Sequence, residues 1–75
     1  MRKTQKQFVE SALENDLARL ELAILERSPE HTYQHMRSWF EGGLGMAFGL
    51  GLIDNEDRVR WLNRAAELHA RRDSL

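Results

Sequence analysis

Apolar residues recur every three or four positions along the first third of the chain, and this spacing predicts an amphipathic helix over about residues 4–27. The stripe comprises Phe8, Ala12, Leu17, Leu20 and Ile24, with Val9 and Leu13 beside it. Ala18, Leu22 and Leu25 form a second apolar face in the C-terminal half. We therefore expect this half to contact two neighbours, one of which can be a second copy of the chain.

The tripeptide Ser28-Pro29-Glu30 separates the first helix from a second one. The residue before a proline is driven out of the helical region, whereas proline is favourable at the first position of a helix. Ser28 is a suitable N-cap, and Glu30 suits the positive end of the helix dipole. The apolar spacing continues through Tyr33, Met36, Phe40, Leu44, Ala47 and Phe48, which predicts a second helix over residues 29–50.

Five glycines fall within or just after this second helix, at positions 42, 43, 45, 49 and 51. Each interior glycine costs a helix up to about 1 kcal/mol relative to alanine, so two interpretations compete. Either the chain breaks into a loop at Gly42-Gly43, or the helix continues to about residue 50. We favour the continuous helix because the apolar period keeps its phase. Glycines four apart, such as Gly45 and Gly49, also let two helix backbones approach closely.

Signals for the end of one helix and the start of another follow in close succession. Gly51 occupies the position typical of a C-terminal capping glycine, and Leu52 and Ile53 can pack back onto the helix. Asp54 is a suitable N-cap for a third helix over residues 55–72. In that helix Val59, Leu62, Ala66 and His69 form one seam, and Trp61, Ala65 and Leu68 form the adjacent one. We expect His69 to be partly buried and hydrogen-bonded, and Trp61 to be core.

These segments predict an all-α protein with a single domain over residues 1–75. The arrangement is a three-helix bundle, or an extended helical hairpin with a third helix. At 1.5 Å per residue the first helix would be about 36 Å long, which is long for a compact chain of 75 residues. A chain of this size also buries only about 60% of its unfolded surface. Pairing with a second copy would shelter such helices, so we expect a homodimer.

Composition narrows the functional class. Eleven Lys and Arg against twelve Asp and Glu give a net charge of −1, so a bulk attraction to nucleic acid or anionic lipid is not expected. The chain contains no cysteine, which fits a reducing, cytoplasmic setting. The longest uncharged run, from Gly42 to Ile53, has twelve residues, whereas a transmembrane helix needs about 20.

The sequence offers little support for catalysis or for a bound cofactor. His31 and His35 are four residues apart, a spacing that can hold a metal on one helix face, but no glutamate follows His31 and no third ligand is evident. We therefore expect no metal site, no cofactor and no enzymatic activity.

Aromatic residues are the strongest candidates for a binding surface. Trp39 is displaced by one position from the Tyr33–Met36–Phe40 stripe, so it is either core at a helix crossing or a partner contact. Because Trp, Tyr and Arg dominate interface energies, we predict a partner-binding set of Tyr33, Arg37, Trp39 and Phe40. A second set, predicted for close helix packing or a dimer interface, consists of Leu44, Gly45, Phe48 and Gly49.

Arginines give the third helix a basic face, on which Arg60, Arg64 and Arg71 are possible nucleic-acid contacts. Acidic residues balance this charge over the same stretch, which favours a solvated face with ion pairs. We therefore predict a non-enzymatic helical interaction factor, a bacterial, plasmid or phage accessory or inhibitor protein that occludes a partner macromolecule. The alternatives are a small DNA-binding regulator and a peripheral membrane factor that uses the glycine-rich run.

Overall fold

Three α-helices make up the part of the chain that the computed structural model describes, residues 4–74. They are α1 (Gln5–Leu25), α2 (Glu30–Gly49) and α3 (Asn55–Asp73). The prediction of an all-α three-helix bundle is confirmed, and α2 continues without a break through Gly42 and Gly43. Residues 1–3 and Leu75 of the predicted domain lie outside the described residues.

Side-chain caps define where α1 and α3 begin. The Thr4 side chain accepts a hydrogen bond from the Gln7 amide, and the Gln7 side chain accepts one from the Thr4 amide. Asp54 and Asp57 form the equivalent pair at the start of α3, as expected of an aspartate N-cap. Because these pairs satisfy amides that have no partner within the helix, both helices start at defined residues.

Gly51 ends α2 in the predicted way. Its φ of 75° lies in the left-handed region, where a residue with a Cβ is strained. The following amide, of Leu52, donates to the Ala47 carbonyl over 2.9 Å and completes the helix cap. Ile53 is buried and Leu52 is half-buried, so both pack back onto the bundle as predicted.

The turn between α1 and α2 differs in detail from the prediction. Arg27 adopts a φ of 54° after α1, and the Ser28 amide donates to the Ala23 carbonyl over 2.9 Å. Ser28 therefore closes α1 and is not the N-cap of α2. Pro29 holds that position, because its extended backbone leads directly into the helix at Glu30.

Phe40 of α2 is fully buried together with Leu20 of α1 and Leu44 of α2, and it belongs to a core cluster with residues from all three helices. The Trp61 ring approaches the Phe40 ring edge-on, with 6.5 Å between the ring centroids. This contact closes α3 over the pair formed by α1 and α2, and it confirms that Trp61 is core. The remaining core residues are Leu13, Leu17, Ile24, Tyr33, Ala47, Ile53, Ala65 and Leu68.

Several apolar residues of the predicted stripes lie at the surface instead. Phe8 at the start of α1 is 69% exposed, and Val59 and Leu62 on α3 are also exposed. The neighbouring seam of α3, which contains Trp61, is the buried one. In a bundle this small a helix turns one side to its two neighbours, so adjacent apolar seams cannot all reach the same core.

Asp57 joins the start of α3 to the start of α1. Its buried carboxylate receives the Lys6 ammonium group, with 3.1 Å between Nζ and Oδ2, and it also pairs with Arg60. Hydrogen bonds from the Lys6 side chain and from the Asp54 amide lower the pKa of Asp57 to about 2. Charge on this carboxylate therefore stabilises the fold.

We expect acid to weaken the fold through Asp57. Its pKa is about 2 in the folded chain, against an ordinary value of 3.8, so its contribution is present above that ordinary value and is lost as the pH falls toward 2. Asp57→Asn should lower the free energy of unfolding at neutral pH. It should also make that free energy depend less on pH in the acid range. Urea unfolding over a pH series measures both effects. Glu56→Gln, at the exposed neighbouring acid, is the control, and an unaltered acid dependence in Asp57→Asn would contradict this account.

Candidate protein-binding surface

Trp39 lies on the outside of the bundle, beside a groove between α1 and α2. Its side chain is 66% exposed, so it is not the core residue that the sequence left open as an alternative. The groove has a volume of about 290 Å³ and is lined by Asp16, Arg19, His35, Met36 and Trp39. We call it the Trp39 groove. It combines the apolar side chains of Met36 and Trp39 with charged or polar groups, the composition typical of an interface anchor site.

The other members of the predicted partner-binding set do not join Trp39. Tyr33 and Phe40 are core residues with 2% and 0% exposure, so their assignment to a partner surface is wrong. Arg37 is partly buried on α2, and its Nε donates to the Glu41 carboxylate over 3.1 Å. The reason is helical geometry: Tyr33, Arg37 and Phe40 follow the inward stripe, and Trp39 is turned about 100° away from Phe40.

Glycines occupy the side of α2 that faces away from the core. Gly42, Gly45 and Gly49 recur at spacings of three and four, and we call them the glycine crest. A Cβ built at any of them meets no described atom within 4 Å apart from the adjacent residues and the backbone of α2 itself. The prediction of close helix packing at Gly45 and Gly49 is therefore wrong within the described chain, while the alternative of a dimer interface stays a prediction.

Large apolar side chains flank the glycine crest on both sides. Met46 and Leu50 are about two-thirds exposed on the side nearer the Trp39 groove. Phe48 lies on the side of α3, where the Arg58 guanidinium sits 4.7 Å from the centre of its ring. Phe48 is partly exposed, whereas Leu44 of the same predicted set is buried in the core and cannot line an interface between copies.

Arginines of α3 are engaged in ion pairs. Arg64 binds Glu14 of α1 through both carboxylate oxygens, with 2.9 Å between Nη2 and Oε2, and its guanidinium lies over the Trp61 ring. Hydrogen bonding from Arg64 lowers the pKa of Glu14. Arg60 pairs with Asp57, and Arg71 lies 3.9 Å from a Glu21 oxygen. Each of these three arginines, predicted as possible nucleic-acid contacts, therefore lies beside a carboxylate that a phosphate group would have to displace.

A cluster of aromatic and charged groups joins α3 to the start of α2. The Tyr33 hydroxyl is hydrogen-bonded to Nδ1 of His69, and the two rings meet edge-on. The Arg72 guanidinium lies 3.9 Å from the centre of the Tyr33 ring and pairs with Glu30. This confirms that His69 is partly buried and hydrogen-bonded. Burial, reinforced by the positive charge of Arg37, lowers the pKa of His69.

Two features of other functional classes, a metal-ligand cluster and a membrane-spanning helix, are not found in residues 4–74. No group of three or more His, Cys, Asp or Glu in this range is placed to hold a metal ion. Neither does any helix of this range combine the length and apolar content needed to cross a bilayer.

Comparisons with protein families, with curated proteins and with solved structures found no match to this chain. Its functional interpretation therefore rests on the geometry of the described residues.

Sequence reasoning found Trp39 but missed the surface to which it belongs. The signal was present, because Trp39, Gly43, Met46 and Leu50 follow one another at spacings of four, three and four and so share one face of α2. The same helix also has the inward apolar stripe that contains Phe40, and the sequence alone does not show which of the two stripes is buried. The residues that α1 contributes to the Trp39 groove, Asp16 and Arg19, carried no pattern of their own.

We expect Gly45→Ala and Gly49→Ala each to raise the free energy of unfolding of the single chain by up to about 1 kcal/mol. The added methyl group has open space at both positions. Gly51→Ala is the matched control, and it should destabilise because its φ is +75°. Urea unfolding at low protein concentration measures all three variants. Destabilisation by Gly45→Ala under those conditions would contradict the open crest.

We also expect stability to fall as the pH drops below 6.5, the ordinary pKa of histidine, because the pKa of His69 is lowered in the folded chain. The unfolded state then binds the proton more readily, so protonation favours unfolding until the pH passes the lowered value. His69→Gln should lose less stability than the wild type between about pH 7.5 and about pH 5.5. Chemical unfolding tests this, with the exposed His31→Gln as control. Equal losses in wild type and His69→Gln would refute the assignment.

Proposed function

We propose that this chain is a non-enzymatic protein–protein interaction factor that binds and occludes another protein through the Trp39 groove. The observation that carries this proposal is the exposure of Trp39 beside a groove, in a chain whose core already contains its other tryptophan. Tryptophan is, with tyrosine and arginine, enriched among the residues that contribute most of the binding energy of protein interfaces.

Charges around the groove support a protein partner. Asp16 and Arg19 of α1 and His35 of α2 line it together with Met36 and Trp39. An apolar side chain of a partner can pack on the Trp39 and Met36 surfaces while its neighbouring polar groups pair with Asp16 or Arg19. This is the arrangement of an apolar centre within a polar rim that specific interfaces use. The groove is open and shallow, which suits a protruding side chain better than an enclosed small molecule.

Finer features of the proposal concern where and in what form the chain works. We place it in the cytoplasm, in keeping with the lack of cysteine. We propose that it works as a homodimer, since a chain of this length is marginal alone. Occlusion of a partner surface is the mode of action of small accessory and inhibitor proteins of bacteria, plasmids and phages, and we assign the chain to that type.

The two alternative functions have less support in the geometry. A DNA-binding regulator would need free cations on α3, yet Arg60, Arg64 and Arg71 lie beside carboxylates. A peripheral membrane factor would need several basic residues around the apolar face of α2; the stretch from Gly42 to Ile53 contains none, and Arg58 of α3 beside it lies over the Phe48 ring.

We expect a photoreactive amino acid at His35 to form one predominant adduct with another protein when the chain is expressed in its host. His35 lines the groove, so it reports on contacts there without replacing Trp39. Trp39→Ala in the same chain should weaken partner binding roughly 30-fold, because a central interface tryptophan contributes about 2 kcal/mol or more. Adduct yield and the affinity of the purified pair are the measurements.

Two controls give this experiment its specificity. Leu25→Ala removes another exposed apolar side chain, on α1, and should leave the adduct unchanged. The photoreactive group at Glu67, in the groove between α1 and α3, should give no adduct of the same mass. Equal adducts at both positions, or an adduct that survives Trp39→Ala undiminished, would show that the Trp39 groove is not the binding site.

A further inference from the structure

We infer that α3 is a releasable lid, which opens away from α1 and α2 as a unit while those two helices stay paired. This device goes beyond the proposed function, because the residues that line the Trp39 groove belong to α1 and α2. Opening of α3 therefore leaves that groove in place. The inference follows from the contacts that hold the helices together, which differ in kind between α3 and the other two.

Apolar burial is smallest on α3. α1 buries five apolar side chains and α2 buries four, whereas those that α3 buries are Trp61, Ala65 and Leu68. Val59 and Leu62 of α3 are exposed. Because hydrophobic stabilisation scales with the apolar area removed from water, α3 has the least apolar area holding it in place. Elements with few buried apolar contacts are the ones that open first in a folded protein.

Ion pairs between helices all include α3. In the described part of the chain, residues 4–74, four ion pairs join two different helices, and each has one partner on α3. They are Lys6–Asp57, Arg64–Glu14, Arg71–Glu21 and Arg72–Glu30. The other two ion pairs of this range lie within α2 and within α3. α3 is thus attached along its length by charge, whereas α1 and α2 are held together without ion pairs.

Contacts between arginines and aromatic rings add to this attachment. Arg58, near the start of α3, lies over the Phe48 ring of α2, and Arg72, near the end of α3, lies over the Tyr33 ring. A cation over the face of a ring is held by electrostatic attraction. Both ends of α3 are therefore joined to α2 through charge, and Trp61 is the largest apolar side chain that anchors α3 between them.

Salt distinguishes the two kinds of contact. The side chains of Arg64 and Glu14 are 48% and 53% exposed, and pairs of this kind each contribute little and are screened by dissolved ions. Apolar contacts between α1 and α2 involve no charge that salt could screen. Raising the ionic strength therefore weakens the attachment of α3 and leaves the pairing of α1 with α2 unchanged.

Opening of α3 exposes aromatic side chains of the core. The Trp61 ring meets the Phe40 ring edge-on, and the Arg72 guanidinium covers the Tyr33 ring. In the closed bundle Phe40 and Tyr33 are buried. Release of the lid therefore converts two buried rings of α2 into a surface that solvent and other molecules reach.

Amide hydrogen exchange measured by NMR tests the lid helix by helix. The amides of Ala65 and Leu68 report on α3, and those of Leu20 and Leu44 report on α1 and α2. Raising NaCl from about 0.05 M to about 1 M at about pH 7.5 should lower the protection of the α3 amides roughly fivefold relative to the other two. The ratio within one sample removes any effect of salt on the intrinsic exchange rate.

Low concentrations of urea separate opening of the lid from unfolding of the whole bundle. Opening of α3 exposes less surface than global unfolding, so exchange of the Ala65 amide should depend less steeply on urea than exchange of the Leu44 amide. Equal urea dependence together with an equal salt response in all three helices would overturn the inference, because the bundle would then open only as a whole.

A matched pair of variants identifies the charges responsible. Glu14→Gln removes the charge that pairs with Arg64, and it should lower the protection of the α3 amides about threefold while leaving Leu44 unchanged. Glu41→Gln is the control, since Glu41 is 48% exposed and its partner Arg37 lies within α2. Equal effects of the two variants on α3 would overturn the inference, as would an equal loss of protection in all three helices of Glu14→Gln.

Discussion

Burial of Phe40 between α1 and α3 is the contact on which the rest of this molecule depends. Phe40 shares the core cluster with Leu20 of α1 and meets the Trp61 ring of α3, and it thereby sets the rotation of α2 about its own axis. Once that rotation is set, the direction in which each neighbouring side chain of α2 points is fixed as well. Trp39 must point toward solvent beside α1, and the glycine crest must lie on the outer side of the helix. Both candidate surfaces are thus consequences of one core contact.

Charged and apolar groups are distributed in opposite ways over the outside of the bundle. Charged side chains of α3 are matched by carboxylates of their own chain, as in the Arg64–Glu14 and Arg60–Asp57 pairs. Large apolar side chains of α2, in contrast, are left uncovered at Trp39, Met46 and Leu50. Exposed ion pairs contribute little to stability, but they reduce the positive charge available to a phosphate backbone. A surface of this kind favours recognition by shape and apolar contact.

The Trp39 groove and the glycine crest lie on different sides of α2. The Trp39 groove is formed with α1, whereas Phe48, on the other side of the crest, adjoins α3. A homodimer that leaves this groove open would carry two Trp39 grooves, one on each copy. Binding to a partner that is itself repeated would then gain from the second attachment, because that step is intramolecular.

The sequence by itself determined the helices and most of their ends, although Ser28, predicted to cap α2, closes α1 instead. Regular apolar spacing predicts α1, α2 and α3, and the residues Gly51 and Asp54 mark the turn between the last two because each satisfies a local backbone requirement. The continuity of α2 through its glycines also followed from the sequence, since the apolar period kept its phase. Such features depend on neighbours within one or two helical turns, and neighbours of that kind are visible in the chain itself.

Only the tertiary structure decided which of several apolar stripes is buried. Phe8, Val59 and Leu62 fit helical stripes as well as Leu13 or Trp61 do, and their exposure results from the limited area that two neighbouring helices can cover. In the sequence, Tyr33 and Phe40 are as suitable for an interface as Trp39. The rotation of α2 in the bundle buries the first two and exposes Trp39. The pairing of Arg64 with Glu14, fifty residues apart, likewise has no local signal. Helix formation is a local property of the sequence, whereas the choice of the buried face depends on the simultaneous packing of all three helices.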